Sequence, residues 1–358
     1  MDFINERDSM KEQNEAPALQ EKRSIGGYIK LGLAGFAMGV ANVIPGVSGG
    51  TMAFILGIYE ELIESIRKFA SVPTFKLAFA FKIKKMYDTL PWRFLLALGI
   101  GVLIAFGSAA KLFTKALESY PELTFAFFFG LVLASILTVF KKVKKWQASR
   151  YVMLVIGALV AYLIVTLVPV DTPNVWWFSF ISGMIVICAM ILPGISGSFL
   201  LLVLGQYKYV WGSVAAIASR QISMDAVSTL FWVGSGCIVG IGSFVHLLNW
   251  LFRKFHDLTV ATLIGFMVGS MWKLWPWKKI TLFSVKAQGE LLHVKPADIE
   301  PYQTTGAKIK PIVEQNMMPA NFDKMFWYAI GLAVLGFVIV IIMEYVANRK
   351  ESLENCES

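Results

Sequence analysis

The stretches Pro45-Gly46-Val47-Ser48-Gly49-Gly50-Thr51 and Pro193-Gly194-Ile195-Ser196-Gly197-Ser198 are near copies, each in the middle of a long apolar segment. A Pro-Gly pair followed by small residues cannot continue an α-helix, because proline lacks the backbone N–H and glycine loses much backbone entropy. Non-helical backbone at membrane depth is tolerated only where protein or a water-filled cavity surrounds it. Two such breaks in corresponding halves of a chain therefore indicate a transporter's binding site.

Composition identifies the broad class. The chain has 358 residues, of which 56% are hydrophobic, and a mean hydropathy of +0.63. Soluble domains are about 45–50% apolar, so this composition predicts a polytopic membrane protein. The net charge of +9 comes from Lys and Arg clustered between apolar segments, which is typical of topology signals and not of nucleic-acid binding. Three scattered cysteines without a CxxC pattern argue against a disulfide framework or a zinc site.

An internal repeat organises the chain beyond the two motifs. Broken segments at 25–66 and 176–211 are followed by predicted spans near 92–112, 123–140, 151–168, 226–251, 258–275 and 325–346. At one constant offset, Gly99, Gly101, Gly107 and Ser108 match Gly234, Gly236, Gly242 and Ser243. The blocks beginning at Leu123 and Leu258 match at the same offset. Three matched blocks in the same order indicate a duplicated unit.

Loop charge predicts how the two units are oriented. Residues 67–93 and 141–150 are rich in Lys and Arg, which favours a cytoplasmic position for both loops. Both fall inside only if the first broken segment enters and leaves on one side. The predicted fold class is an all-α polytopic membrane protein with an inverted-topology repeat, each half a re-entrant helical hairpin plus three transmembrane helices.

The predicted organisation follows from this topology. It comprises a disordered cytosolic tail (1–24), a first membrane repeat (25–170), a second membrane repeat (171–348) with an extracytoplasmic loop (276–324), and a cytosolic tail (349–358). Both termini are cytosolic. Alternating apolar residues at 280–285 and 291–294 indicate a small hairpin or an interfacial cap within the loop.

The hairpin tips are the candidate site. In an inverted arrangement the tips meet near the midplane, and a new helix starts after each with free N–H groups, which favour phosphate or carboxylate. The candidate substrate-binding residues are Asn42, Ser48, Gly49, Gly50, Thr51, Ser196, Gly197, Ser198, Lys111 and Lys208. The alternative is that the small residues only pack two kinked helices closely. Lys111 is also placed to reach the outer surface, and Lys208 to mark the end of a hairpin at the interface.

Glu60, Glu61 and His246 are candidate coupling groups, because ionisable residues within membrane segments are few. The alternatives are that the two glutamates mark a hairpin end and that His246 is a hydrogen-bonded structural histidine. No HExxH or paired-carboxylate pattern is present, so the sequence does not predict an enzyme. It predicts no cofactor.

The doubled motif, with Gly57-Ile58-Tyr59-Glu60 after the first copy and Gly205-Gln206-Tyr207 after the second, resembles a bacterial family once known as a domain of unknown function. That family is associated with polyprenyl-phosphate (undecaprenyl-phosphate) transport. The resemblance covers residues 25–348 and implies recycling of the C55 lipid carrier from the outer to the inner leaflet of the cytoplasmic membrane, in support of peptidoglycan synthesis. Expected partners are the lipid, the bilayer and protons. Three alternatives stay open: a transporter of a small soluble anion, a non-transporting scaffold and an intramembrane lipid phosphatase.

Overall fold

The fold is seen in a computed structural model, which describes residues 23–43, 48–143, 145–169, 172–221, 223–287, 290–294, 296–298, 301, 308–319 and 322–357. Within these residues, four helices are long and apolar enough to cross a membrane. The number rises to five if two short helices that meet at 109°, Gly197–Val203 and Tyr207–Ile217, form one broken span. The predicted polytopic membrane protein is confirmed at this level.

Helices dominate both parts of the chain. The first part contains α1 (Ile25–Val43), α2 (Gly49–Ile55), α3 (Tyr59–Phe69), α4 (Val72–Phe79), α5 (Ile83–Thr89), α6 (Trp92–Ser119), α7 (Pro121–Lys142) and α8 (Ala148–Val165). The second contains α9 (Trp176–Ile191), α10 (Gly197–Val203), α11 (Tyr207–Ala218), α12 (Met224–Leu274), β1 (Lys278–Ala287), β2 (Glu290–Val294), β3 (Lys308–Asn316) and α13 (Lys324–Glu357).

Each apolar segment is broken where the motifs predict. Helix α1 ends at Val43 and α2 begins at Gly49, while α9 ends at Ile191 and α10 begins at Gly197. Pro45 and Gly46 lie outside the described residues. The side chain of Ser48 caps α2 by accepting the Thr51 N–H, and Ser196 caps α10 by accepting the Phe199 N–H. The serine of each motif therefore starts the new helix.

A second turn divides the part of each segment that follows the break. The sequence analysis had treated these parts, up to residues 66 and 211, as undivided. Gly57 and Gly205 have φ of +72° and +67°, and each ends its short helix. The Ile58 N–H donates to the Ala53 carbonyl at 3.0 Å, and the Gln206 N–H donates to Leu201 at 3.1 Å. This pattern is a Schellman motif, which favours glycine because the left-handed conformation penalises a Cβ.

Some of the repeated glycines bring helices into close backbone contact, whereas a Cβ at Gly99, Gly107 or Gly234 would meet no atom within 4 Å. A Cβ at Gly101 in α6 would overlap the Gly32 carbonyl in α1, and one at Gly236 in α12 would overlap Phe180 in α9. Likewise, a Cβ at Gly130 in α7 would overlap Ala333 in α13. Equivalent overlaps occur for Gly265 of α12 on Leu154, for Gly157 of α8 on Thr262 and for Gly336 of α13 on Phe127. Helix α7 thus packs on α13, and α8 packs on α12.

Side-chain contacts define two ends of this bundle. One, the basic end, joins the start of α1 to α3 through Arg23–Glu61, and the start of α8 to α12 through Arg150–Asp257. The other, the sheet end, carries the β-strands and joins the chain before α9 to the start of α12 through Asn174–Thr229. Between these ends, the first arm of α12 runs from the sheet end to the basic end, and its second arm, after Phe255, returns to the sheet end.

The predicted spans 226–251 and 258–275 correspond to the two arms of α12, which meet at a kink at Phe255, where φ is −136°, ψ is 47° and the backbone is not helical. Beside the helices, β2, β1 and β3 form a three-stranded antiparallel sheet in that order. The β1–β2 pairing confirms the hairpin expected at 280–285 and 291–294, whereas β3 had no predicted counterpart.

Candidate functional site

The two motifs contact each other through a chain of buried hydroxyls. Thr51 Oγ1 accepts the Gly194 N–H at 2.8 Å and lies 3.0 Å from Ser48 Oγ, which donates to the Leu192 carbonyl at 3.1 Å. Because each hydroxyl has one proton and Ser48 gives its proton to Leu192, Thr51 donates to Ser48. The chain therefore runs in one direction, from Gly194 N–H through Thr51 and Ser48 to the Leu192 carbonyl.

We call the contact between residues 48–51 and 192–198 the crossing. Other candidate residues also lie there. Asn42 Oδ1 accepts the Gly49 N–H at 2.7 Å, and a Cβ at Gly50 would overlap the Ile191 carbonyl. On the second copy, Ser196 Oγ lies 3.0 Å from Ser198 Oγ. Gly197 is buried, whereas Ser198 is exposed. The structure thus brings eight of the ten predicted binding residues into one small region.

The predicted coupling glutamates lie at the basic end. Glu61 pairs with Arg23 at 2.6 Å, and Glu60 Oε1 lies 3.1 Å from His256 Nε2. Both glutamates line a cavity of about 330 Å³ that also contacts Asn249 and Arg253. His256, which the sequence analysis did not single out, is adjacent to the bend of α12. Its contact with Glu60 joins residues 196 positions apart, which sequence spacing cannot reveal.

The remaining predicted residues lie away from the crossing. Exposed His246 has its Nδ1 2.6 Å from the Gly242 carbonyl of its own helix, which matches the structural alternative. Lys208 is on α11, with Nζ 5.0 Å from the centre of the Tyr209 ring. Lys111 is part of α6, but its side chain is outside the described residues.

A second polar cluster, at the sheet end, was also missed. Lys278 Nζ and Lys273 Nζ lie 3.2 Å and 3.5 Å from the same Glu314 oxygen. Burial lowers the pKa of Lys278 to about 8, although Glu314 opposes this shift. Burial alone raises the pKa of Glu314, but Lys278 and Lys273 together bring it below its usual value. The sequence could have indicated this cluster through Lys273, because it is an ionisable residue near the end of an apolar span.

Metal chemistry has no evident location in the part of the chain that the structure describes. No group of three or more His, Cys, Asp or Glu side chains there has an arrangement that could hold a metal ion. Cys188 and Cys237 are free thiols on α9 and α12. What the crossing offers chemically is hydroxyl and amide donors in a buried setting.

Apolar spanning helices around two broken segments that bond to each other define an integral membrane protein. The chain belongs to the undecaprenyl phosphate translocase-like family, whose model matches residues 38–292. That match begins within α1, includes both motifs and ends in β2.

Two curated relatives support the assignment. A polyprenyl-phosphate transporter of Vibrio cholerae serotype O1 is 38% identical over 276 residues, which are 77% of this chain and 87% of the relative. A polyprenyl-phosphate transporter of Staphylococcus aureus is 31% identical over 258 residues, which are 68% of this chain and 85% of the relative. No solved structure matches the chain.

Proposed function

We propose that this protein is a translocase that returns undecaprenyl phosphate, the C55 lipid carrier, from the outer to the inner leaflet of the cytoplasmic membrane. The family and the names of both relatives support polyprenyl phosphate as the substrate and transport, not catalysis, as the activity. The observation that carries the proposal is the buried hydroxyl chain joining the two motif copies. Recycling of the carrier would supply peptidoglycan synthesis.

The proposed architecture is an inverted repeat with two re-entrant hairpins. Support comes from contacts that return each broken segment to the end where it began. Arg23, before the first segment, pairs with Glu61 after its break. Thr172, before the second, donates to the Leu204 carbonyl after its break. The first return is at the basic end and the second at the opposite end.

The proposed orientation places the basic end in the cytoplasm, because cytoplasmic loops carry the excess of Lys and Arg. Both termini are then cytosolic, residues 25–170 and 171–348 are the two membrane repeats, and the sheet within 276–324 is extracytoplasmic. Trp272, Trp275 and Trp277 lie beside this sheet, in keeping with the tryptophan belt of a membrane interface.

The proposed phosphate site is the crossing itself, formed by Asn42, residues 48–51 and residues 196–198. A phosphate oxygen can replace the Leu192 carbonyl as the acceptor for Ser48, since phosphate oxygens are strong acceptors. The partial positive charge of about half a unit at a helix N-terminus also favours an anion. Binding in this way requires the two copies to separate, so the observed conformation is the closed one. Lys111 and Lys208 are proposed to attract the phosphate from outside the crossing.

Inward transport of this lipid needs an energy source. Each negative charge moved against an interior-negative potential costs about 2.3 kcal/mol per 100 mV, so a phosphate with one to two charges costs roughly 2–5 kcal/mol. We propose proton coupling through Glu60, Glu61 and His246, with His256 added as the contact partner of Glu60. Flipping in proteoliposomes that responds to neither a pH gradient nor voltage would contradict coupling.

The test of function measures undecaprenyl phosphate on the cell surface with an outer-leaflet-specific probe, in cells with and without this protein. Loss of the protein should increase the surface signal, in a strain that lacks other translocases for this lipid. Ser48→Ala combined with Ser196→Ala should fail to restore a low signal, because both motif hydroxyls are removed.

The matched control is Ser108→Ala combined with Ser243→Ala. These serines are equivalent in the repeat, and each donates to a carbonyl of its own helix, Ile104 and Val239 respectively. This control should restore a low signal at equal expression. An unchanged signal after loss of the protein would refute the translocase proposal and favour transport of a small soluble anion.

A further inference from the structure

A small cationic cavity lies at the sheet end, outside the crossing but next to it. Its volume is about 110 Å³, and it is bordered by the last residues of α8 and α12 and by strands β1 and β3. Its polar lining comes from Thr166, Lys273, Lys278, Glu314 and Asn316. With two lysines and one glutamate, the charged lining carries one net positive charge.

The two lysines are held in place but share one carboxylate. Lys278 Nζ donates to the Lys273 carbonyl at 2.8 Å and to Glu314 at 3.2 Å, and it lies 3.7 Å from the centre of the Phe125 ring. Only 8% of the Lys278 side chain is exposed. Buried ammonium groups are costly unless they are paired, and one carboxylate between two of them leaves a positive charge uncompensated. The arrangement favours a second anion.

An apolar wall adjoins the charged groups. Leu167, Val168 and Trp272 line the same cavity, yet 48%, 54% and 48% of their surfaces remain exposed. They lie at the ends of α8 and α12, two helices that can cross a membrane. A cavity with a cationic floor and an open apolar side fits an anionic headgroup attached to a hydrocarbon chain better than it fits a free ion.

The cavity borders the second motif. The Lys273 ammonium lies 5.3 Å from the centre of the Phe199 ring, and Phe199 directly follows the small residues of that motif. The Phe199 N–H in turn donates to Ser196 Oγ at 3.4 Å. Phe199 therefore links Lys273 to the second motif.

We propose that Lys273 and Lys278 form a loading site for the phosphate headgroup of a polyprenyl lipid, which occupies this cavity before it reaches the crossing. The prenyl chain lies along Leu167, Val168 and Trp272. The phosphate replaces Glu314 as the partner of both lysines, so Glu314 is a built-in competitor. The identity of the lipid rests on the proposed function; the anion site rests on the cavity.

The test measures equilibrium binding of a short-chain polyprenyl phosphate to the full-length protein in nanodiscs. Lys273→Gln should weaken binding by about tenfold or more, because a hydrogen bond to a charged group is lost. Glu314→Gln should tighten binding, because it removes the competing carboxylate. Lys279→Gln is the matched control, since this neighbouring lysine is exposed and does not line the cavity, and it should bind as the unaltered protein does.

Opposite shifts from two substitutions in one cluster cannot both come from misfolding. Two further ligands identify what is recognised. The corresponding polyprenol, which lacks phosphate, should bind equally to all variants, and inorganic phosphate at millimolar concentration should not displace the lipid. Displacement by inorganic phosphate alone would overturn the lipid site in favour of a free-anion site.

Translocation in proteoliposomes, measured alongside, separates this proposal from the proposed function. Unchanged binding by Lys273→Gln and Glu314→Gln in a protein that translocates the lipid overturns the loading site alone. Lysine-dependent binding in a protein that translocates no lipid supports the site and overturns the translocase function.

Discussion

Thr51 joins the two motif copies directly. Its hydroxyl accepts the N–H of Gly194, a residue 143 positions away, and it is almost completely buried. Because the Gly194 N–H is buried, the Thr51 hydroxyl is its only partner among the described contacts. The stability of the crossing should depend on that one oxygen.

Thr51→Val tests this dependence with little change in shape. Valine keeps the branched side chain but leaves the Gly194 N–H unpaired, which should cost roughly 1–3 kcal/mol and lower the Tm. Thermal unfolding in detergent is the measurement, and Thr51→Ser, which retains the hydroxyl, should lie closer to the unaltered protein. A valine variant as stable as the unaltered protein would mean that the hydrogen bond contributes little.

At this site the sequence indicated one set of the hydrogen-bonding groups but not their partners. The motif hydroxyls could be identified because Ser and Thr after a Pro-Gly pair suit helix starts. Their partners could not, because the Leu192 carbonyl and the Gly194 N–H are backbone atoms that every residue type has. The sequence did not indicate His256, because its contact with Glu60 depends on the bend of α12, which no neighbouring proline or glycine marks.

At the scale of elements, the turns after the breaks shape both hairpins. Gly57 and Gly205 end α2 and α10 after seven residues each and redirect the chain into α3 and α11. The sequence showed the Leu-Gly-x-Tyr tails but not this turn, because one glycine in an apolar run is compatible with a continuous helix. The Pro-Gly breaks, by contrast, could be predicted because proline removes a helix hydrogen bond.

Gly57→Ala should destabilise the protein through the backbone alone. A Cβ at this position meets no atom within 4 Å, but φ of +72° is unfavourable for alanine by roughly 1–2 kcal/mol. Gly212→Ala is the matched control, because Gly212 also has open space around it and lies inside α11. Thermal unfolding should show a lower Tm for the first substitution and an equal or higher Tm for the second. Equal effects would refute the backbone explanation.

At the scale of the whole molecule, helices from the first part of the chain pack on helices from the second part. Helix α7 packs on α13 and α8 packs on α12, with glycine against backbone at equivalent positions. The sequence showed the matched blocks that contain Gly130 and Gly265, but it did not predict the contacts that these glycines make. Which helix each face meets could not be predicted, because a small-residue face shows that a close neighbour exists without identifying it.

Gly130→Ala tests the packing of α7 on α13. Its Cβ would overlap the Ala333 carbonyl, so α7 and α13 must move apart at a cost of about 1–3 kcal/mol. Gly265→Ala, at the equivalent contact of α12 with α8, should cost a similar amount, and Gly331→Ala, which has open space on α13, should cost little. The loss of Tm in detergent is the measurement. A tolerated Gly130→Ala would contradict the close backbone contact.

The packing of α7 on α13 also constrains the order in which the protein can be synthesised and assembled. Helix α7 leaves the ribosome about 200 residues before the part of α13 that covers it, since Gly130 meets Ala333. During that interval α7 must wait in the lipid, in the translocon or against a temporary neighbour, because its permanent partner has not yet been synthesised. A chain stopped before residue 324 would keep both motifs yet leave α7 without its partner helix. Membrane insertion can proceed helix by helix, whereas assembly can be completed only after the last helix arrives, which would make premature termination a source of half-assembled protein for quality-control proteases.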